Sequence, residues 1–342
     1  MSQPAQKLTA TPFFEIRVKS VAVQAPLPYD IYLTVGGNPV LFRKRNELLS
    51  KERIKQLLHH GGERFLVPED QRDLYLKSLK DVISNPSTGT ELKSQFIKES
   101  AFLHVHDLFT KENVAATLME AKDLVSEMVN FVSEDVNAVA SLMRLSTHDY
   151  YTYNHCVDVA VYSIALAKKF FGEDKNMLML AGLGGLLHDI GKRKIDVKII
   201  NKSSALTKDE WEEVKRHPIY GKELVGDIEN IPLETRNVVH EHHENFDGTG
   251  YPQKLKGDQI APLSRIVAIA DVFDALTTDR SYHKAIPPVE ALNTMYGMQP
   301  GKFDPQIFQS FNKNFANKKP DVLLAEGFDP CTPNPLKHLV KK

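Results

Sequence analysis

"LLHDIGK", Leu186 to Lys192, sets a histidine and an aspartate side by side at the end of an apolar run. Adjacent side chains on an α-helix point about 100° apart, so His188 can bind one metal while the two oxygens of Asp189 reach a second. The adjacency recurs as His242 and His243 in "VVHEHHENFDGTGYP" (Val238 to Pro252), directly before a turn of Asp, Gly, Thr and Gly. Further potential ligands stand at wide intervals: His155 in "YNHCVDVA", His217 in "KRHPIYG", and Asp271 and Asp274 in "AIADVFDAL". A lone histidine on an apolar helix is ordinarily a hydrogen-bonded core residue. The joint pattern is different: imidazoles and carboxylates without thiolates suit Fe, Mn, Zn or Ni better than a Cys-bound structural zinc.

These residues sit in a stretch that reads as helical. From about Asn113 apolar residues recur at three- and four-residue intervals, and helices are expected over Tyr151 to Phe171, Lys175 to His188, from Thr207 and Lys208 onward, Leu233 to His242, Leu263 to Thr278 and Pro288 to Met298. The stripe within Met119 to Val132 suits burial against neighbouring helices or a homodimer contact. Pro330, Pro333 and Pro335 exclude a continuous helix in the C-terminal tail.

The first hundred residues read differently. "FFEIRVKSVAVQ" (Phe13 to Gln24), "DIYLTV" (Asp30 to Val35), "PVLFRK" and "RFLVP" predict strands, with a turn at Gly36 to Asn38. Helices are expected in "SKERIKQLLHH", capped by Ser50, and in "EDQRDLYLKSLKDVI", followed by loop-like residues Ser84 to Thr90. His59, His60, His104 and His106 lack partners at metal spacing and are assigned no site.

At 342 residues the chain exceeds the roughly 100–200 usual for one domain. Its 42% hydrophobic and 25% charged content is ordinary for a globular protein. No run approaches the roughly 18 apolar residues of a membrane span, and the start lacks the cationic and apolar segments of a secretory signal. With only Cys156 and Cys331, no disulfide framework is expected and a cytoplasmic location fits. A formal net charge of −1 supplies no general field for a polyanion, which argues against a DNA-binding role. "GGLLHDIGKR" is not a phosphate-binding Walker loop, because Arg193 follows Lys192 and the glycine spacing is wrong.

The ordered set of His155, His188 and Asp189, His217, His242 and His243, "DGTGYP" and "DVFDALTTDRSYHKA" resembles the HD-GYP domain, the helical phosphohydrolase branch associated with cyclic di-GMP breakdown in bacteria. The patterns and the resemblance together give an α+β two-domain chain: a small mixed α/β domain over 1–100, read from its strands and helices, connecting helices over 101–145, an all-α HD-type bundle over 146–320, and a tail over 321–342. The resemblance covers roughly the C-terminal two thirds and adds for the first domain only a regulatory role. It places His155, His188, Asp189 and Asp271 around one divalent ion, and His217, His242 and His243 around another, with Asp189 shared. Some similar domains bind a third metal through a Glu that is Tyr151 here, so two ions are expected. Such a pair can activate a bridging water and clamp a phosphoryl oxygen.

Asp189 and Lys192 are the expected catalytic groups, with Lys192 steadying charge on the scissile phosphate. Tyr251, Asp274 and Arg280 are expected with Lys192 at the substrate, Arg280 offering a donor fork to phosphate or guanine. Gly248 and Gly250 are expected to let the loop approach the substrate. His240 is left outside the site, and Glu244 and Asp247 are expected to orient imidazoles or form the turn. The implied activity is opening of cyclic di-GMP to linear pGpG, with or without a second cleavage to GMP, and the expected protein partners are those of signalling. A low-turnover sensor, or a hydrolase of another cyclic dinucleotide or a mononucleotide, are the competing readings.

Overall fold

The computed structural model describes residues 12–21, 26–60, 62, 64–135, 137–145, 151–202, 204–226, 228–229, 231–279, 284–298 and 301–315. The chain divides into two compact units, Met1–Ser100 and Ala101–Lys342. The first is a four-stranded antiparallel sheet with two helices and part of a third; the second is helical.

In the first unit β1 (Phe13–Arg17), β2 (Ile31–Val35), β3 (Asn38–Arg43) and β4 (Arg64–Pro68) stand in the order β1-β4-β2-β3. The first strand stops at Arg17, short of the expected Gln24, because Val18–Ser20 turns and the Ser20 hydroxyl bonds both the Arg17 carbonyl and the Tyr75 phenol. Helix α1 (Lys51–His59) begins at Ser50, whose side chain accepts from the Arg53 amide, and α2 is Arg72–Ser84. Tyr29 meets Tyr75 edge to face at 5.1 Å inside a core with Ile31, Phe65, Val67 and Leu79. Glu99 is buried there, accepting from the Arg17 amide and the Tyr75 hydroxyl.

Helix α3 (Thr90–Thr110) was not foreseen. Phe96, Ile97, Leu103 and Leu108 are buried, but so are Ser94, Lys98, Glu99 and Asp107, so no clean apolar stripe announces it. The second unit continues with α4 (Val114–Glu134), α5 (Ala138–Arg144), α6 (Tyr151–Phe171), α7 (Lys175–Leu187), α8 (Val197–Ile200), α9 (Lys208–Val214), α10 (His217–Gly226), α11 (Leu233–Glu241), α12 (Pro262–Thr277), α13 (Pro288–Gly297) and α14 (Pro305–Phe315). Caps set several starts: Asn113 accepts from the Ala116 amide, Asp174 from those of Asn176 and Met177, and Thr207 forms a capping box with Glu210. Residues 321–342 lie outside the described residues, as does the proline-rich reading made of them.

The hub is α7, buried on nearly every side and packed against α4, α6, α11 and α12. The α4 stripe is largely consumed within this unit: Leu118, Ala121, Leu124, Val125, Met128, Val129 and Val132 are buried, and Met119 is the large apolar residue of the helix left strongly exposed, beside exposed Ala115 and Ala116. That packing accounts for its amphipathic pattern. No helix of the described residues is long and apolar enough to cross a membrane. Met128→Ala is therefore expected to cost about 2–5 kcal/mol in denaturant unfolding; an unchanged midpoint, with a change in mass by light scattering, would contradict this use of the stripe.

Candidate metal centre

Five helices deliver the ligands expected from sequence. His155 comes from the first half of α6 and Asp271 from the middle of α12. His188 and His242 cap the C-terminal ends of α7 and α11, with Asp189 and His243 just beyond, and His217 opens α10. Both adjacent pairs thus sit where an α-helix ends, and the 100° fan of a continuing helix does not describe His188 and Asp189, where Asp189 (φ −95°, ψ 4°) leads into a 3-10 turn over Ile190–Lys194.

The side chains form two groups. His155, His188 and Asp271 have ligand atoms within 4.8 Å of one another, and so do Asp189, His217, His242 and His243. Asp189 faces both: Oδ2 lies 3.4 Å from His188 Nε2 and 3.8 Å from His155 Nε2, while Oδ1 lies 3.2 Å from His217 Nε2 and 4.0 Å from His242 Nε2. Asp271 also has two faces, Oδ1 at 3.1 Å from His155 Nε2 and Oδ2 at 3.9 Å from His243 Nδ1. Its second contact was not foreseen from the sequence.

Hydrogen bonds behind the imidazoles set their tautomers. His188 Nδ1 donates to the Gly185 carbonyl at 2.7 Å, His217 Nδ1 to that of Val214 at 2.8 Å, and His242 Nδ1 to those of Val239 and Val238 at 3.1 and 3.2 Å. A carbonyl can only accept, so each Nδ1 carries the proton and each Nε2 presents a lone pair inward. His217 Nε2 and His242 Nε2 lie 3.1 Å apart. Two lone pairs converging in this way repel unless a cation lies between them. The buried His188 Nε2 and Asp189 Oδ1 likewise meet no hydrogen-bond partner among the described residues. These orphaned acceptors, in a donor set of imidazole nitrogen and carboxylate oxygen, fit a divalent metal.

The electrostatics agree. Burial, followed by neighbouring imidazoles, drives His242 well below the usual histidine range; burial and then His217 hold His243 at about 3, and burial outweighs the pull of Asp189 to leave His217 at about 4. Neutral imidazoles are the ligand form. Burial opposes charge on Asp189 and Asp271, yet the Lys192 ammonium for the first and the hydrogen bond and charge of His155 for the second overcome it and keep both ionised. His155 differs: hydrogen bonds with Asp271 and Asp274 outweigh burial and lift it to about 9, so without a metal its Nε2 carries a proton towards Asp271 that a bound ion would displace.

Of the residues expected at the substrate, Lys192 is beside the site, its Nζ donating to Asp189 Oδ2 at 2.5 Å. The Tyr251 ring lies 4.8 Å from that of His243, and burial holds its phenol protonated. Asp274 is elsewhere. It is fully buried, its Oδ2 accepting from His155 Nδ1 at 2.6 Å and its Oδ1 from the Thr278 hydroxyl, so it orients His155 and has no face for a substrate. Its three-residue offset from Asp271 on α12 puts both carboxylates towards α6, a signal legible in the sequence. Arg280 lies outside the described residues, as does the Tyr151 side chain.

The loop after His243 is held by its own contacts. Glu244 accepts from the Gln253 and Leu255 amides, and Asp247 from the Thr249 amide and hydroxyl, so both form the turn and neither touches an imidazole. Gly250 is pressed on its own chain: a Cβ there would stand 2.2 Å from the Asn245 nitrogen, so close packing of the loop, not approach to a substrate, explains the glycine. His240 stays outside the two groups, 3.4 Å from Lys222 Nζ.

A family model described as the HD domain matches residues 137–307. A cyclic di-GMP phosphodiesterase of Pseudomonas aeruginosa is 44% identical over 193 residues, covering 56% of this chain and 46% of that protein. A 3'3'-cGAMP-specific phosphodiesterase of Vibrio cholerae is 36% identical over 163 residues, 48% of this chain and 35% of that protein. The chain thus spans less than half the length of either relative. Among solved structures, an HDG"Y"P protein of Bdellovibrio bacteriovorus superposes with a TM-score of 0.70 at 23% identity, covering 88% of this chain and 99% of that one, which establishes likeness of fold.

Asp274→Asn removes the charge behind His155 and is expected to weaken metal retention about 10–100-fold in chelator competition. Parent-like retention would show that Asp274 does not set the ligand.

Proposed function

The chain belongs to the HD domain family, and on that premise we propose that it is a metal-dependent phosphodiesterase that hydrolyses cyclic di-GMP to linear pGpG and onward to GMP in bacterial second-messenger signalling. The observation that carries this reading is Asp189, whose two oxygens face two separate groups of metal-competent side chains. On this reading His155, His188 and Asp271 hold one divalent transition ion and His217, His242 and His243 the other, with Asp189 between them. Fe or Mn is favoured over Zn or Ni. When bound, such a pair activates water near neutral pH and offsets charge on a phosphoryl oxygen.

The chain's own groups supply the rest. Lys192, with a partly exposed side chain, can turn its ammonium from Asp189 to a nonbridging phosphate oxygen, where it offsets the charge that grows during displacement. Tyr251 stays protonated and can donate to the phosphodiester at the rim beside His243. Arg280 would read phosphate or guanine. Asp274 holds His155 in its ligand tautomer and takes no part in substrate binding. Residues 146–320 form the catalytic region on this reading, 101–145 connect, and 1–100 regulate, in a cytoplasmic protein that serves signalling partners.

The 36% identity to a cGAMP-specific phosphodiesterase supports a second reading, hydrolysis of a mixed cyclic dinucleotide. Anaerobic loading with Mn or Fe, followed by chromatography of the products from each dinucleotide, separates the two. Cyclic di-GMP is expected to be consumed faster, and Asp189→Ala to lose both metal and more than about 100-fold of that turnover. A variant that kept its metal and full turnover would end the proposal, and tight nucleotide binding by the parent without product would make the protein a sensor.

A further inference from the structure

The segment that leads from Asp189 to Lys192 is anchored on two sides. Ile190–Lys194 forms a 3-10 turn, with the Lys192 amide donating to the Asp189 carbonyl at 2.9 Å and the Ile195 amide to that of Lys192 at 3.0 Å. On one side Gly191 lies against the start of α10: a Cβ there would meet the His217 carbonyl oxygen at 1.9 Å and the Gly221 nitrogen at 2.5 Å. No residue larger than glycine fits without displacing the helix that carries His217. On the other side half-buried Arg193 reaches the C-terminal end of α3. Its Nη1 donates to the Leu108 carbonyl and its Nη2 to that of Lys111, the latter at 2.9 Å.

The last carbonyls of a helix have no partner within it and carry the negative end of its dipole. A guanidinium presents a rigid planar fork that can satisfy two of them at once, whereas an ammonium is a flexible point charge. Arg193 therefore does more than neutralise a helix end: it fixes the direction in which the turn leaves Asp189. Lys194 makes a useful contrast. It pairs with Glu223 at 3.0 Å, but both side chains are well exposed, and such pairs hold little.

We propose that Arg193 is a positioning residue: by tying the turn to the end of α3, it sets where the Lys192 ammonium stands relative to Asp189 and so to the scissile phosphate. It touches neither metal ligands nor substrate and acts through Lys192. Only the consequence for turnover rests on the phosphodiesterase reading; the anchoring of the turn does not.

The test uses the full, metal-loaded chain with Arg193→Gln, Arg193→Lys and Lys194→Gln. Hydrogen exchange by mass spectrometry is expected to quicken about tenfold in the peptide holding the Lys192 and Ile195 amides in Arg193→Gln, with α6 and α12 unchanged and Lys194→Gln matching the parent. With cyclic di-GMP, kcat is expected to fall about tenfold at nearly constant KM, with Arg193→Lys intermediate. Added to Lys192→Ala, Arg193→Gln should cost less than about twofold more, because the group it positions is gone. Unchanged exchange at the turn would overturn the proposal, and so would an equal loss in the parent and Lys192→Ala backgrounds, which marks a general structural role. If the parent fails to hydrolyse cyclic di-GMP while exchange quickens only at the turn, the phosphodiesterase reading falls and the anchoring stands.

Discussion

Everything in the second unit is arranged around one buried carboxylate. Asp189 is almost wholly removed from water and yet ionised, because the Lys192 ammonium outweighs the penalty of burial. Its position at the junction of α7 and the following turn lets one oxygen face His188 and His155 and the other face His217 and His242. The helices packed around α7 then serve as a frame that keeps imidazoles from distant parts of the chain within a few ångströms of that carboxylate.

The frame also fixes proton positions. Backbone carbonyls at Gly185, Val214, Val238 and Val239 take the Nδ1 protons of three histidines. Two of those histidines, His188 and His242, cap helix ends, where carbonyls have spare accepting capacity; that of Val238 also takes the His242 amide. His155 is the exception: it sits inside α6, where backbone carbonyls are engaged, and its Nδ1 proton goes to the Asp274 carboxylate. Placing ligands at helix ends thus supplies the supporting acceptors without spending further side chains.

Much of this was legible in the sequence, and the reasons for the exceptions are physical. Ser50 marked a helix start because capping chemistry is local, and Asn113 and Thr207 prove to cap helices that the sequence pattern had begun there. The candidate ligands were visible through their joint order along the chain and the resemblance it carries, since a lone histidine in an apolar helix is ordinarily a core residue. The role of Asp274 was not, because spacing on α12 shows which way a carboxylate points but not whether His155 or a substrate receives it. Gly250 was misassigned for a similar reason: a glycine reports close approach without naming what approaches. Helix α3 escaped notice because polar residues are buried along it together with apolar ones, and α14 was overlooked although Ile307, Phe308 and Phe311 bury one face of it.

The central claim is that Asp189 joins two cations within one site. The most direct measurement is the electron paramagnetic resonance spectrum of the Mn-loaded full chain. Two ions bridged by one carboxylate are predicted to give the multiline signal of an exchange-coupled pair. Signals of isolated Mn alone, at full metal loading, would contradict a shared centre.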